Sequence, residues 1–83
     1  MDNLKILEKF TEIFRDILDN DNIVLTMDTV AKDIEEWDSL THIQLIVAIE
    51  KHFKIRFLSS EIRSWKNVGE MADSVSNKLS NHK

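Results

Sequence analysis

The sequence predicts an all-α fold of four helices, the third short, with a long loop between the first two. Three observations carry this expectation. Apolar residues recur at helical spacing in three separate segments, the pattern that lines side chains along one side of a helix. Asp38 and Asn67 stand at the starts of the second and last of those segments, where N-caps belong. Val24 and Leu25 have strand propensity, but no second strand is found to pair with them.

The first helix is expected over residues 3–18, with Leu4, Leu7, Phe10, Phe14, Ile17 and Leu18 inward and Ile6 and Ile13 beside them. Lys5, Glu8, Lys9, Glu12, Arg15 and Asp16 then fall largely outside, and the phenylalanine pair reads as core rather than as a ligand site. Asp19-Asn20-Asp21-Asn22 ends the helix, because these side chains compete for backbone hydrogen bonds. The cluster lacks the glycine and the distal glutamate of an EF-hand loop, so no metal site is expected. Residues 23–37 form the long connection, anchored by Ile23, Val24, Leu25, Met27, Val30 and Ile34. A connection of this length is either functional or tied down by such side chains. Trp37 is expected to cover the core where the loop meets the next helix.

The second helix starts at the cap Asp38 and runs about four turns to Phe53. Ser39 falls on its first residue, where the hydroxyl is not needed for capping and can face solvent beside the positive end of the helix dipole. Nearby N–H groups there would stabilise an attached anion such as a phosphodiester. The helix has two apolar faces. Leu45, Ile49 and Phe53, flanked by Ile46 and His42, make the core face, and Leu40, Ile43 and Val47 make a second stripe on roughly the opposite side. A chain of 83 residues can hardly bury both fully, so the second stripe reads either as part of a central helix that touches neighbours all round or as a partner-docking patch beginning next to Ser39.

Beyond Phe53, Lys54-Ile55-Arg56-Phe57-Leu58 alternates, with Ile55 and Phe57 turned inward. Ser59 or Ser60 is expected to cap a short third helix containing Glu61, Ile62 and Trp65. Asn67 caps the last helix, with Glu70 placed for a capping box and Gly69 in the first turn. Val68, Met71, Ala72, Val75 and Leu79 form its inward stripe, and Ser80-Asn81-His82-Lys83 is expected to fray.

The length fits one domain over residues 1–83, and 42% hydrophobic residues suffice for a modest core. No cysteine is present, which excludes disulfides and thiolate zinc sites. No apolar run approaches the ~20 residues of a membrane span, and Met1-Asp2-Asn3 does not open a signal peptide, so a cytoplasmic protein is expected. A net charge of −4 weighs against nucleic acid as a partner. Asp28, Asp33, Glu35, Glu36 and Asp38 gather before Ser39, whereas Lys51, Lys54, Arg56, Arg63 and Lys66 gather after the helix. These read either as solvated patches or as an acidic collar for basic partner enzymes.

Nothing in the sequence assembles an active site. Ser39 and His42 share one helix, but His42 points toward the core face, without the third group that would orient a base. His42 and His52 lie ~15 Å apart along the axis, too far to share a metal. No cleft can be argued around Glu35 and Glu36.

Asp38-Ser39-Leu40, followed by Ile43, Leu45-Ile46, Ala48-Ile49-Glu50 and Phe53, resembles the second helix of the acyl carrier proteins, and the flanking helices extend the likeness over nearly the whole chain. The resemblance implies a four-helix acyl-carrier bundle, a monomer that is not an enzyme, with Ser39 esterified by 4′-phosphopantetheine from coenzyme A. A phosphopantetheinyl transferase would install the arm, and acyl-loading and acyl-processing enzymes would read the thioester it carries. Asp38, Leu40, Ile43, Val47 and Glu50 are the residues implied for partner binding. The acyl chain would fold back between Ile46, Ile49, Ile62 and the last helix. Thr41, Gln44 and Lys51 stand where many fatty-acid carriers have acids, which shifts docking toward apolar contact. The run from Glu36 to Ile43 is more similar to discrete carriers of dedicated pathways, polyketide-type or sugar and lipid assembly, than to the fatty-acid housekeeping carrier. Trp65 and Asn67 also resemble D-alanyl carriers, so an aminoacyl cargo stays open. The remaining alternative is an unmodified helical interaction module whose stripe binds a partner helix.

Overall fold

The computed structural model describes residues 2–81. Helices α1 (Asn3–Ile17), α2 (Ser39–Phe53), α3 (Ser59–Ser64) and α4 (Val68–Asn81) follow in order, and a 3₁₀ turn (Ala31–Asp33) interrupts the long loop. No strand forms among the described residues, Val24 and Leu25 included.

Helix α1 is the hub, packing against both α2 and α4. Its start is capped by Asp2, whose carboxylate accepts the Lys5 N–H at 2.9 Å. Ile6, Phe10 and Phe14 are fully buried. The Phe14 ring meets Trp37 edge-on at 4.9 Å, and Phe10 meets Phe53 at 6.2 Å. Asp19 ends the helix in the left-handed region (φ 52°), a conformation Asp tolerates better than most residues. Arg15 does not simply face water: its Nε donates to the Ile23 carbonyl at 2.8 Å and fastens the start of the loop.

The core face of α2 is Leu45, Ile46 and Ile49, all buried, with Phe53 half-buried. The helix stops at Lys54 (φ 57°), after which Ile55 N–H donates back to the Glu50 carbonyl at 3.0 Å in a Schellman-type ending.

Three expectations about helix ends are corrected. Neither Ser59 nor Ser60 caps α3; Leu58 holds that position, and its N–H is taken by the Glu61 carboxylate at 2.7 Å. Trp65 lies just beyond the helix rather than within it. Ser80, expected in a frayed tail, belongs to α4, because half-buried Leu79 keeps the last turn packed against the core; His82 and Lys83 lie outside the described residues.

At the start of α4, Asn67 Oδ1 accepts the Glu70 N–H at 2.9 Å. The reciprocal Glu70 arm of a capping box is not formed among the described residues. The loop supplies the other acceptors: Val68 N–H donates to the Thr29 carbonyl at 2.9 Å and Gly69 N–H to the Met27 carbonyl at 2.7 Å. Val68, Met71, Ala72 and Val75 are buried against α1, and the long loop is held by α4 on one side and by buried Ile23, Leu25 and Ile34 on the other; Val24, expected as an anchor, is exposed, because its neighbours Ile23 and Leu25 both turn inward.

Candidate functional site

The site grows from the cap of α2. Asp38 Oδ1 accepts the N–H groups of Leu40 (3.0 Å) and Thr41 (2.9 Å). Thr41 Oγ1 returns to the Asp38 N–H at 2.8 Å and donates to the Glu36 carbonyl at 2.8 Å, which locks the turn before the helix. These bonds to the charged carboxylate hold the Asp38 pKa below its ordinary value, the Thr41 backbone N–H contributing most. Asp38 is therefore an anion throughout the physiological range.

Ser39 is exposed, and its hydroxyl bonds to no described residue. Of the helix N–H groups expected to stabilise an anion on Ser39, that of Ser39 itself has no partner among the described residues. The Leu40 and Thr41 donors are occupied by Asp38, whose own negative charge stands beside the serine.

A cleft of about 290 Å³ opens at Ser39. The loop contributes Val30 and Trp37, the start of α2 contributes Ser39 and His42, and Ile62 and Trp65 close it on the α3 side. The cleft takes in Ile62 and, from α4, Met71, but not Ile46 or Ile49, so it overlaps part of the acyl pocket expected between Ile46, Ile49, Ile62 and the last helix. Ile46 and Ile49 are buried and do not line it.

The Trp37 indole N–H donates to His42 Nδ1 at 3.0 Å while the two rings stack at 5.9 Å. Burial of His42 pushes its pKa below the ordinary histidine value, so the ring is neutral at pH 7. Trp65 meets Phe57 edge-on at 4.8 Å and donates its indole N–H to Ser74 Oγ at 2.7 Å, which fixes the far wall. Sequence reasoning placed His42 and Trp37 as packing residues and gave Trp65, apart from a place in the third helix, only its likeness to D-alanyl carriers. The available signal was His42 one helical turn after Ser39, on the same side of α2.

The residues expected to bind partners divide into two groups. Leu40, Ile43 and Val47 remain 68%, 61% and 43% exposed, a continuous apolar stripe leading away from Ser39. Glu50 is half-buried instead, and its carboxylate accepts the Phe57 N–H at 2.9 Å, bracing the segment after α2. Beyond Val47 the surface turns basic, with Lys51, Lys54, Arg56 and Lys78 around one shallow groove. No group of three or more potential metal ligands gathers among the described residues.

A small helical scaffold that presents one exposed serine beside a cleft and an apolar stripe has the form of a carrier. Comparison with known proteins makes the class specific. Residues 8–75 match the family model for the phosphopantetheine attachment site. The fold matches the solution structure of a holo acyl carrier protein from Geobacter metallireducens with a TM-score of 0.81, at 48% identity over 93% of each chain. A comparison with curated proteins gives no match. The chain belongs to the phosphopantetheine-attachment family of acyl carrier proteins, which are carriers rather than enzymes and hold 4′-phosphopantetheine. The residues present fit that group, since an exposed, unbonded hydroxyl stands at the mouth of a cleft with room for part of a flexible arm.

Proposed function

We propose that Ser39 carries the 4′-phosphopantetheine arm and that the chain, acting as a monomeric cytoplasmic domain over residues 1–83, presents acyl intermediates to the enzymes of a dedicated biosynthetic pathway. The observation that supports this reading most is the pairing of exposed Ser39 with the exposed stripe Leu40, Ile43 and Val47 on the same helix. The bound arm supplies a thiol, on which cargo rides as a reactive thioester. The chain's own part is to hold Ser39 at a defined helix start, so that a transferase can reach the hydroxyl, and to offer partner enzymes an apolar docking face. Tethering then raises the local concentration of cargo at each docked enzyme. The acidic run Glu35, Glu36 and Asp38 suits recognition by a basic transferase.

A second reading, an aminoacyl cargo, draws support from three polar side chains, His42, Lys66 and Asn67, that line the otherwise mostly apolar cleft beside Ser39. Fatty-acid or polyketide-type intermediates and aminoacyl groups are distinguished by measuring thioester formation on the holo chain with a loading enzyme for each class.

Incubation with coenzyme A and a broad-specificity phosphopantetheinyl transferase, followed by intact mass, tests the attachment. The wild-type chain should gain one phosphopantetheinyl group, and Ser39→Ala should stay folded and gain none. Modification of Ser39→Ala, or of Ser59 or Ser60, would remove Ser39 from this role.

A further inference from the structure

The polar groups lining the cleft beside Ser39 are unevenly satisfied. Trp65 donates to Ser74, Asn67 Oδ1 accepts from Glu70, and Asp38 accepts from Leu40 and Thr41. Three lining residues keep donors without a partner among the described residues, the Asn67 side-chain N–H₂, the Lys66 ammonium and one edge of the His42 ring, while Asp38 Oδ2 stays a free acceptor. Three such donors beside Ser39 suit a ligand that carries acceptors.

The His42 edge can be assigned chemically. An indole nitrogen donates but does not accept, so the 3.0 Å bond from Trp37 makes His42 Nδ1 an acceptor without a proton. The neutral ring then carries its proton on Nε2. That N–H has no protein partner among the described residues, and no described side-chain polar atom is both enclosed and unpaired, so Nε2 is open to solvent at the cleft. Ser39 and His42 stand at i and i+3 of α2, neighbours with Cβ atoms about 5–6 Å apart in helical geometry. A phosphodiester on Ser39 meets the anionic Asp38 and finds the Leu40 and Thr41 N–H groups occupied. Beyond the Ser39 N–H it needs a further donor, and His42 offers a side-chain donor one turn along the same helix.

We propose that His42 binds the phosphodiester of the prosthetic arm, its Nε2–H donating to a non-bridging phosphate oxygen while Trp37 holds the ring in that tautomer. Trp37 is thus a positioning residue, acting on the arm only through His42. The assignment rests on Ser39 as the attachment site. The charged groups facing His42 across the cleft are Asp38, just before α2, and Lys66, between α3 and α4, and they oppose each other in sign. An added phosphodiester therefore tips the balance toward protonation of His42.

The test is ³¹P and histidine-ring NMR on the holo chain between about pH 5 and 8, where histidine is the side chain that ordinarily changes charge and a phosphodiester does not titrate. The ³¹P resonance should shift with pH, with the same midpoint as the His42 ring, and that midpoint should lie higher in the holo than in the unmodified chain. In His42→Phe, which keeps an aromatic ring against Trp37, the ³¹P resonance should be flat over the range. A flat ³¹P titration in the wild-type chain, or one unaltered by His42→Phe, overturns the proposal. Should the variant not fold, the coincidence of the two midpoints in the wild-type chain decides alone. Intact mass separates the two readings: an arm found elsewhere than on Ser39 removes both, whereas an arm on Ser39 with a pH-insensitive ³¹P signal removes only the role of His42.

Discussion

Gly69 shows how much one missing methyl group can matter. In an ordinary helix, glycine to alanine stabilises by about 0.4–1 kcal/mol, because the unfolded chain loses freedom. At Gly69 an added Cβ would stand 2.8 Å from the Met27 carbonyl and 3.2 Å from Met27 Cβ. The first of these is backbone that also accepts the Gly69 N–H, so the clash cannot be relieved by a side-chain rotation. We expect Gly69→Ala to destabilise by about 1–3 kcal/mol, the usual range for overpacking, as read from denaturant midpoints; a midpoint equal to or above wild type would show that the loop yields freely. The sequence marks Gly69 as the single glycine of the chain and places it in the first turn of α4. It does not reveal the partner, since Met27 lies far away along the chain. The same limit hid the Trp37–His42 bond: each residue was legible as packing near the second helix, but a ring nitrogen facing an indole N–H is a property of three-dimensional placement.

At the scale of elements, the helices were legible wherever local chemistry decides. Asp38 begins α2 because its carboxylate reaches only two and three residues onward, and Val68 to Leu79 keep one period throughout α4. Legibility failed where the decisive group came from elsewhere. At α3 a serine cap was the natural choice, but Glu61 from the first turn satisfied the Leu58 N–H and was itself steadied by Lys78 of α4 at 2.9 Å. The cleft was only partly legible for a related reason: periodicity assigns Ile46 and Ile49 to the core, but cannot show that the space beside Ile62 opens between the loop, Ser39 and Trp65. The two faces of α2, by contrast, came directly from the helical period, and they separate stability from docking. Val47→Asp should leave thermal unfolding nearly unchanged, since exposed substitutions usually cost under about 0.5 kcal/mol, yet slow loading by a partner enzyme. A large fall in melting temperature would make that stripe part of the core.

For the whole molecule, the distribution of charge bears on how partners are held. Acids cluster before Ser39, while Lys51, Lys54 and Arg56 crowd the far end of the apolar stripe. Glu50, the acid nearest those cations on α2, is engaged by the Phe57 N–H. A partner held by Leu40, Ile43 and Val47 should lose little affinity as salt rises past physiological strength, where the Debye length is already ~8 Å, because apolar burial is not screened. The cognate acyl-loading enzyme should accordingly show a shallow salt dependence of Kd. Ile43→Ala should weaken it more than Glu50→Gln, a change that removes charge but keeps an acceptor for Phe57. A steep salt slope with Glu50→Gln the more damaging variant would indicate docking by ion pairs.

Helix α3 contains no buried residue, yet Ile62 from this helix and Trp65 just after it form one wall of the cleft. The free energy of local opening is set by buried apolar contact, so that wall should be the cheapest part of the fold to lift. In the terms of hydrogen exchange, the amides of Ile62, Arg63 and Ser64 should exchange through small fluctuations, orders of magnitude faster than those of Phe10 and Phe14, which await global unfolding. Equal protection in the two helices would mean a rigid wall and a cleft of constant size. Faster exchange at α3, slowed once a cargo is attached, would mean that the chain adjusts its interior volume to what it carries while α1, α2 and α4 hold still.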